Sequence, residues 1–494
     1  MDEGQHLDPT AEISLETVKE RSVKGIITLT GRTLVLNVIS LIAQGLLWAY
    51  LSPDEFGVFF VVSAIVNFLV YFSDIGLAAA LIQKKEKPDE GDLRTTFTIQ
   101  QILVIVIIGI VFALTPFFKA KYSLDPSGQM LLYALCASLL MSSLKSIPSV
   151  LLERKLEFGK LVLPQVVEQL VYNIVLVFMA MKGFGLTSFT VAVLVRGVVG
   201  LAAIYALQPW KPGIAFSRKS LSGLLKFGLP YQVNSLLATL KDDGMTLVLG
   251  GILGTAGIGI LGTAQRLSQY PLRFFMDNVT RVTFPAFSRM QDEKENLARV
   301  VTRSIFFICF LVFPAIVGLV ILAPILVRVI PKYDKWTPAL IPLTIVSVNV
   351  LFASFSTQIT NLLNAIGKIK ITFFLMIMWT GLTWALVPLL AAKFGVTGAA
   401  IGYAVVGVSS GIGVYIAKKY VNFSVNHSIV KPALGASAMA AVMLIVRAVL
   451  PATFYSVSIL AVVGASVYGV VMFGLIGATL IEDVKKSLKT VFSK

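Results

Sequence analysis

Long apolar stretches alternate with short polar connections along almost the whole chain. Scanned with a window of about 19 residues, the 494 residues divide into fourteen stretches able to cross a membrane. They lie at 23–50, 56–82, 95–118, 129–151, 161–181, 186–207, 222–252, 257–288, 300–327, 337–364, 370–391, 396–417, 431–450 and 455–480. Each is long enough for the roughly 20 residues that a helix needs to span hydrocarbon. The pattern predicts an all-α polytopic membrane protein with almost no room for a soluble domain. Polar residues interrupt 129–151 and 222–252 more than the others. Residues 1–21 are polar and show no secretory signal, so the first span is expected to stay in the mature chain.

The connections orient the helices. Every second connection, counted from the N-terminal segment, carries 27 Lys and Arg in total, and the opposite set carries 7. By the positive-inside rule both termini are expected in the cytoplasm, in the cytoplasmic membrane of a prokaryote. Composition agrees, with 56% hydrophobic and 14% charged residues against about 25% charged in soluble proteins. The net charge of +16 is dispersed over many short loops, which argues against a nucleic-acid partner. Cys136 and Cys309 both fall in apolar spans, and His6 and His427 fall outside them. A disulfide framework, a metal cluster and a histidine proton relay are therefore not expected.

The sequence repeats itself. Phe184-Gly185-Leu186-Thr187 returns as Phe394-Gly395-Val396-Thr397 at an offset of 210. Leu151-Leu152 with Gly159-Lys160 is echoed by Leu362-Leu363 with Gly367-Lys368, and Phe56-Gly57 by Ile258-Gly259 at an offset of 202. Spans 1–6 and 7–12 read as two copies. Because six is even, both copies enter from the same side, as in transporters with parallel repeats. The expected organisation is a cytoplasmic segment 1–21, lobes at 22–207 and 208–420, and two further helices with a tail at 421–494.

With the first five residues of each span counted to the connection before it, as in the sums above, eight bases lie inside apolar spans: Arg32, Lys145, Arg196, Lys241, Arg266, Arg273, Arg281 and Arg447. At a helix centre each costs about 2.5–3.5 kcal/mol to insert, so such residues mark a pathway or a buried partner. Lys145 and Arg447 lie near span ends, where they can snorkel. The excess of positive charge suggests an anionic passenger.

Two further stretches point to a family. The run from Phe72 to Gln83, Phe-Ser-Asp-Ile-Gly-Leu-Ala-Ala-Ala-Leu-Ile-Gln, resembles the end of helix 2 in the polysaccharide-transporter branch of the multidrug/oligosaccharidyl-lipid/polysaccharide exporter superfamily. Thr283-Phe284-Pro285-Ala286-Phe287-Ser288-Arg289 resembles the close of its helix 8, and the similarity extends over about residues 22 to 420, including Leu362 to Lys368. The resemblance implies a Wzx-type flippase, not an enzyme, with two six-helix lobes around a central cavity and two extra C-terminal helices. It would move a polyprenyl-pyrophosphate-linked oligosaccharide across the bilayer by alternating access, working beside glycosyltransferases and a polymerase. No cofactor is implied; coupling to H⁺, Na⁺ or the membrane potential is left open.

The residues supply matching chemistry. Arg266, Arg273, Asp277 and Arg281 share one face of span 8 at i, i+7, i+11 and i+15, forming a ladder through the membrane. With Arg32, Arg196 and Lys241 they are the pyrophosphate candidates, since guanidinium groups bind phosphate oxygens bidentately. Sugar candidates are Asn37 and Gln44 on span 1, beside Ser40 and Trp48, and Asn349, Thr360 and Asn364 on span 10, beside Ser356. For any single one of these residues interhelical hydrogen bonding is the stronger reading. Asp74, Glu168, Asp242, Asp243 and Asp277 are candidates for ion coupling, or simply partners of the buried bases. Gly257-Ile258-Gly259-Ile260-Leu261-Gly262 matches a nucleotide-binding pattern but is expected on an outer hairpin with no preceding strand, where glycines permit a turn and close packing. Three rival functions remain open at this stage: a peptidoglycan-precursor flippase, a drug/cation antiporter, and a polysaccharide polymerase or ligase.

Overall fold

The structure, a computed structural model, describes residues 15–71, 73–74, 76–84, 86–218, 220–222 and 240–492. Of residues 15–30, Leu34, Leu240, Asp277, Asn278, Arg281, Val282 and 478–492 it describes the backbone alone. Among the described residues every regular element is helical. In chain order these are α1 (Leu15–Tyr50), α2 (Pro53–Val70), α3 (Leu77–Gln83), α4 (Glu90–Tyr122), α5 (Pro126–Leu144), α6 (Ser146–Arg154), α7 (Phe158–Met181) and α8 (Thr187–Leu207). After residues 223–239, which lie outside the described residues and held most of the expected seventh span, come α9 (Met245–Arg289), α10 (Lys294–Val329), α11 (Leu340–Ala365), α12 (Ile369–Ser409), α13 (Gly411–Lys418), α14 (Lys431–Val449) and α15 (Phe454–Phe492).

The chain starts its helices with side chains that satisfy the orphan amides of the first turn. Ser52 opens α2 with a reciprocal cap: its hydroxyl accepts from the Glu55 amide at 3.2 Å, and the Glu55 carboxylate accepts from the Ser52 amide at 2.6 Å. Asp89 does the same for α4, accepting from the Asp92 amide at 2.6 Å. Asp125, ahead of Pro126, caps α5 through the Gly128 amide at 2.7 Å.

Among the described residues twelve stretches are long and apolar enough to cross a membrane. One of them, Ile369–Lys418, folds back on itself. Gly395 has φ 60°, and a Cβ built on Gly402 would lie 2.9 Å from the Cα of Val387. Residues 15 apart on a straight helix would be more than 20 Å apart, so the two halves form the expected hairpin of spans 11 and 12. Gly185, its partner at the offset of 210, also has positive φ, at 52°.

The second repeated turn carries a correction of register. The residue matching Gly367 (φ 75°) is Leu156 (φ 53°), at an offset of 211, and not Gly159. Glu157 donates to the Leu152 carbonyl at 3.0 Å, and Lys368 donates to the Leu363 carbonyl at 2.7 Å, again at 211. Both are the six-residue bond of a helix end that turns through a left-handed residue.

Two expected spans are broken. Span 56–82 divides into α2 and α3, because Tyr71, Ser73, Asp74 and Gly76 lie outside the helices and Gly76 has φ 73°. The Asp74 carboxylate accepts from the Ala78 amide at 3.2 Å and from the Gln100 side-chain amide, which stabilises the restart. Span 129–151 divides into α5 and α6 at Lys145. Arg154 ends α6 almost fully buried, and its guanidinium donates to the carbonyls of Leu81, Ile82, Lys84 and Glu86, satisfying the C-terminal end of α3.

The described residues form two compact units, Met1–Gly259 and Ile260–Lys494. In the first, Gly57 and Gly259 face each other. A Cβ on Gly57 would lie 1.7 Å from the Thr255 carbonyl oxygen, and one on Gly259 would lie 1.7 Å from the Pro53 carbonyl oxygen. Pro53 and Thr255 differ by the same 202 as the two glycines, so the contact is symmetric. Gly257 to Gly262 are thus helical residues of α9, and the bend falls at Gly254 (φ 70°), not on the nucleotide-like pattern itself. Leu77, Leu81, Leu93, Phe97, Ile147 and Val150 pack where α3, α4 and α6 meet.

In the second unit α10 is the centre of the core. Val301, Ile305, Cys309 and Phe313 pack with Leu362 and Leu363 of α11 and with Met439, Met443 and Tyr468 of α14 and α15. The Tyr468 hydroxyl donates to the Phe310 carbonyl at 2.9 Å. The last two helices therefore share the core of this unit and are not an appendage to it. His427 lies in a π-helical turn, Asn426–Val430, at the start of the α14 span, with its ring stacked on Phe306 at 5.4 Å; it was expected outside the spans.

Candidate functional site

A cavity of about 490 Å³ opens in the first unit, between α1, α5, α6, α7 and α8. That volume lies within the ordinary range of ligand pockets. Its charged lining is Arg32 from α1, Lys145 from the α5–α6 junction, Glu168 from α7 and Arg196 from α8. Three bases and one acid leave a formal surplus of two positive charges. Ser142, Ser146, Ser149, Gln165 and Gln169 add neutral donors and acceptors.

Local structure holds each group in place. The break after Leu144 turns Lys145 inward, where its Nζ lies 2.7 Å from Glu168 Oε1. The two side chains are 17% and 11% exposed, so this is a sheltered pair and not a surface one. The carboxylate rests over Gly200, where a Cβ would come within 1.9 Å of Oε1. Arg196 stands farther off, with its Nε 3.7 Å from Glu168 Oε2 and its guanidinium 5.6 Å from the Tyr172 ring centroid. The buried Nε of Arg32 and Oε1 of Gln165 have no hydrogen-bond partner. Glu168 thus engages Lys145 closely and Arg196 loosely, while the buried Nε of Arg32 is left without a partner.

Of the pyrophosphate candidates named from sequence, Arg32 and Arg196 share this cavity, and Glu168 from the coupling set joins them. Lys145 is the residue that sequence reasoning misjudged. It does not snorkel to the membrane surface, because Glu168 offers a carboxylate inside. A signal was present: Ser142, Lys145, Ser146 and Ser149 recur at i, i+3, i+4 and i+7, a polar stripe on an apolar segment.

The remaining candidates are distributed elsewhere. Lys241 pairs with its neighbour Asp242 at 3.7 Å within a π-helical turn, Leu240–Gly244, which also carries Asp243. Asp74 caps α3, as described. On α9, Arg266 and Arg273 are exposed, and Arg273 donates to Gln269 at 3.0 Å one turn back. The side chains of Asp277 and Arg281 lie outside the described residues, so the lower half of the ladder is outside them too.

Several sugar candidates have structural duties. Asn349 donates to the Tyr403 carbonyl at 2.8 Å, joining α11 to α12, and Thr360 donates to the Thr357 carbonyl at 2.8 Å. The Asn349 bond is of the interhelical kind, and the Thr360 bond is local to α11. Asn37 is exposed, Gln44 and Asn364 are half-buried, and Ser40 accepts from Gln169 at 3.4 Å on the cavity side of α1. A polar cluster not anticipated from sequence lies in the second unit. The fully buried Gln358 accepts from Thr283 at 3.1 Å and donates to Thr280 at 3.2 Å. Cys136 and Cys309 are buried and free.

Residues 47–340 match the family model described as polysaccharide biosynthesis protein. The lipopolysaccharide biosynthesis protein WzxC of Escherichia coli K12 is 24% identical over 425 residues, covering 85% of this chain and 83% of that protein. Among solved structures, the lipid II flippase MurJ in an inward closed conformation superposes with a TM-score of 0.76 at 16% identity, covering 92% of this chain and 100% of that one. An inward-facing multidrug resistance transporter of the MATE family superposes with a TM-score of 0.60 at 16% identity, covering 80% of this chain and 98% of that one. At such identities the two superpositions establish a common fold.

Proposed function

Since the chain belongs to the polysaccharide biosynthesis protein family, we propose that it is a flippase for a polyprenyl-pyrophosphate-linked oligosaccharide. The observation that carries this reading is the cavity of Arg32, Lys145, Arg196 and Glu168, with its surplus of two positive charges. A pyrophosphate diester carries two negative charges at neutral pH. Guanidinium groups can bind its oxygens bidentately and offset the cost of removing them from bulk water. Gln165, Gln169 and the three serines would then meet the first sugar, and the prenyl tail would stay in lipid.

The rivals fit less well. A drug/cation antiporter would need an acidic centre, and this one is basic. A polymerase or ligase would need a large extracytoplasmic segment with catalytic side chains; the connection between α10 and α11 runs only from Ile330 to Ala339. A peptidoglycan-precursor flippase would use the same charge logic. It is the second reading because the likeness to MurJ is one of fold at 16% identity, whereas the family match and the WzxC similarity lie in the sequence.

In the proposed mechanism the head group enters from the cytoplasm, with both chain termini on that side, and the lobes alternate between inward and outward access. H⁺, Na⁺ or the membrane potential supplies the energy. Arg266 and Arg273 form a second basic station. The test is export of surface polysaccharide in a host lacking its own flippase, beside the level of membrane-inserted protein. Arg32→Ala and Arg196→Ala should each lower export at least tenfold at normal protein level, and Arg→Lys should restore it only in part because the bidentate fork is lost. Full export by a well-inserted Arg32→Ala/Arg196→Ala double variant would overturn the reading.

A further inference from the structure

Between Asp334 and Glu482 the sequence contains no Asp or Glu, yet it contains Lys335, Lys368, Lys370, Lys393, Lys418, Lys419, Lys431 and Arg447. Two of these bases are answered by backbone carbonyls. Lys431 donates to Leu475 at 3.0 Å, and Arg447 donates to Ile321 at 3.4 Å. Four others, Lys368, Lys370, Lys418 and Lys419, are all exposed. They gather where the turn between α11 and α12 meets the end of α13. Lys368 lies 5.1 Å from the Tyr420 ring centroid, and Lys419 lies 4.7 Å from that of Tyr415. Among the described residues none of the four forms an ion pair.

Three bases of the first unit, in connections expected at the same membrane face, are paired within the chain. There Lys84 pairs with Asp92, Arg94 with Glu90 at 3.0 Å, and Lys160 with Glu157 at 2.8 Å. Each base is answered by a carboxylate of its own chain. Among the described residues none of the four lysines of the second unit has a carboxylate partner, so their charge is open to anions from outside the protein.

We propose that Lys368, Lys370, Lys418 and Lys419, with Tyr415 and Tyr420, form a docking surface for anionic phospholipid headgroups of the cytoplasmic leaflet. The residue types favour lipid over the transported head group. Lysine is a hydrated point charge suited to a mobile layer of phosphates, whereas bidentate binding of a fixed pyrophosphate calls for arginine, as Arg32 and Arg196 supply beside Lys145 in the cavity of the first unit. Tyrosines at helix ends sit at the depth of the headgroups. The proposal is independent of what the protein transports.

The experiment uses the full-length protein purified in detergent and titrated with phosphatidylglycerol or phosphatidylcholine, with retained lipid counted by native mass spectrometry. Lysine near an anionic surface contributes roughly fivefold to partitioning. The wild type should therefore retain phosphatidylglycerol at least tenfold better than phosphatidylcholine, and the quadruple Lys→Gln variant should lose that preference. Lys160→Gln, whose charge Glu157 already answers, should keep it. Raising the salt from 0.05 to 0.5 M should weaken the wild-type preference, a check that needs no variant. Equal retention of the two lipids by the wild type, a preference insensitive to salt, or an unchanged preference in the quadruple variant would each overturn the proposal.

Discussion

Glu168 offers the sharpest test of the cavity, because it sits where the substrate's charge would have to go. Its carboxylate is a tethered anion 2.7 Å from Lys145 and 3.7 Å from Arg196, and an incoming phosphate must take Lys145 from it. The variant Glu168→Gln keeps the shape packed over Gly200 and removes the charge, raising the surplus in the cavity from two to three. A charge-assisted hydrogen bond contributes about 1.5–3 kcal/mol, which converts to roughly 10- to 150-fold. A short-chain prenyl pyrophosphate should accordingly bind Glu168→Gln at least tenfold more tightly than wild type in calorimetric titration, while export falls because release is slowed. Glu168→Ala should behave differently. It leaves Lys145 without its partner at a sheltered position, and losing one member of a buried pair costs about 3–5 kcal/mol; the residual exposure of both side chains puts the expected cost at about 3 kcal/mol, read as a lowered Tm. If Glu168→Gln bound the pyrophosphate no more tightly than wild type, or if Lys145→Met left binding unchanged, Glu168 would not compete with substrate and the cavity would be a structural ion pair.

Three further predictions concern the frame around the site. Gly57→Ala places a methyl group 1.7 Å from the Thr255 carbonyl oxygen, so it should destabilise by about 3 kcal/mol or more and lower the Tm; Gly109→Ala, in the interior of α4 with nothing within 4 Å of the new atom, should not lower it and should raise it slightly. Leu156 holds φ 53°, which costs a residue with a Cβ about 1–2 kcal/mol; after the entropy of glycine is deducted, Leu156→Gly should stabilise by about 0.5–1 kcal/mol, and Gly367→Leu should destabilise by about 1 kcal/mol, both measured as thermal unfolding in detergent. Arg154→Ala strands the carbonyls of Leu81, Ile82, Lys84 and Glu86, so inserted protein on an immunoblot should drop sharply, and Arg154→Lys should fail to restore it because one ammonium cannot reach four acceptors.

What was legible in the sequence follows the range of the forces involved. Hydropathy is a property of a single segment, so the membrane-spanning segments could be located along the chain, and the turn at Gly395 betrayed itself through its copy at Gly185. Breaks inside spans were not legible, because the bonds that stabilise them come from elsewhere. The Asp74 restart depends on Gln100 of α4, and the α3 end depends on Arg154 of α6. Nothing within 71–86 announces either partner. The register slip from Gly159 to Leu156 has a similar origin. Glycine is the usual residue for a left-handed turn, but at this site a leucine takes the positive φ instead.

Depth and azimuth separate what could be read of the site. Sequence places Arg32, Lys145, Arg196 and Arg273 at a depth in the membrane, since depth is distance along one helix. It does not say which neighbour each one faces, since azimuth depends on how several helices pack. Arg266 and Arg273 looked compelling because one helix wrote them as a regular ladder, yet Arg273 donates to Gln269 on its own helix. Arg32, Lys145, Glu168 and Arg196 made no pattern, being contributed by four separate segments, yet they converge on one cavity. The surplus of bases over acids in the spans was visible as a number, and it pointed to an anion. Which bases bear that surplus is decided by Glu168, which claims Lys145 at 2.7 Å and leaves Arg32 with a buried nitrogen that has no partner.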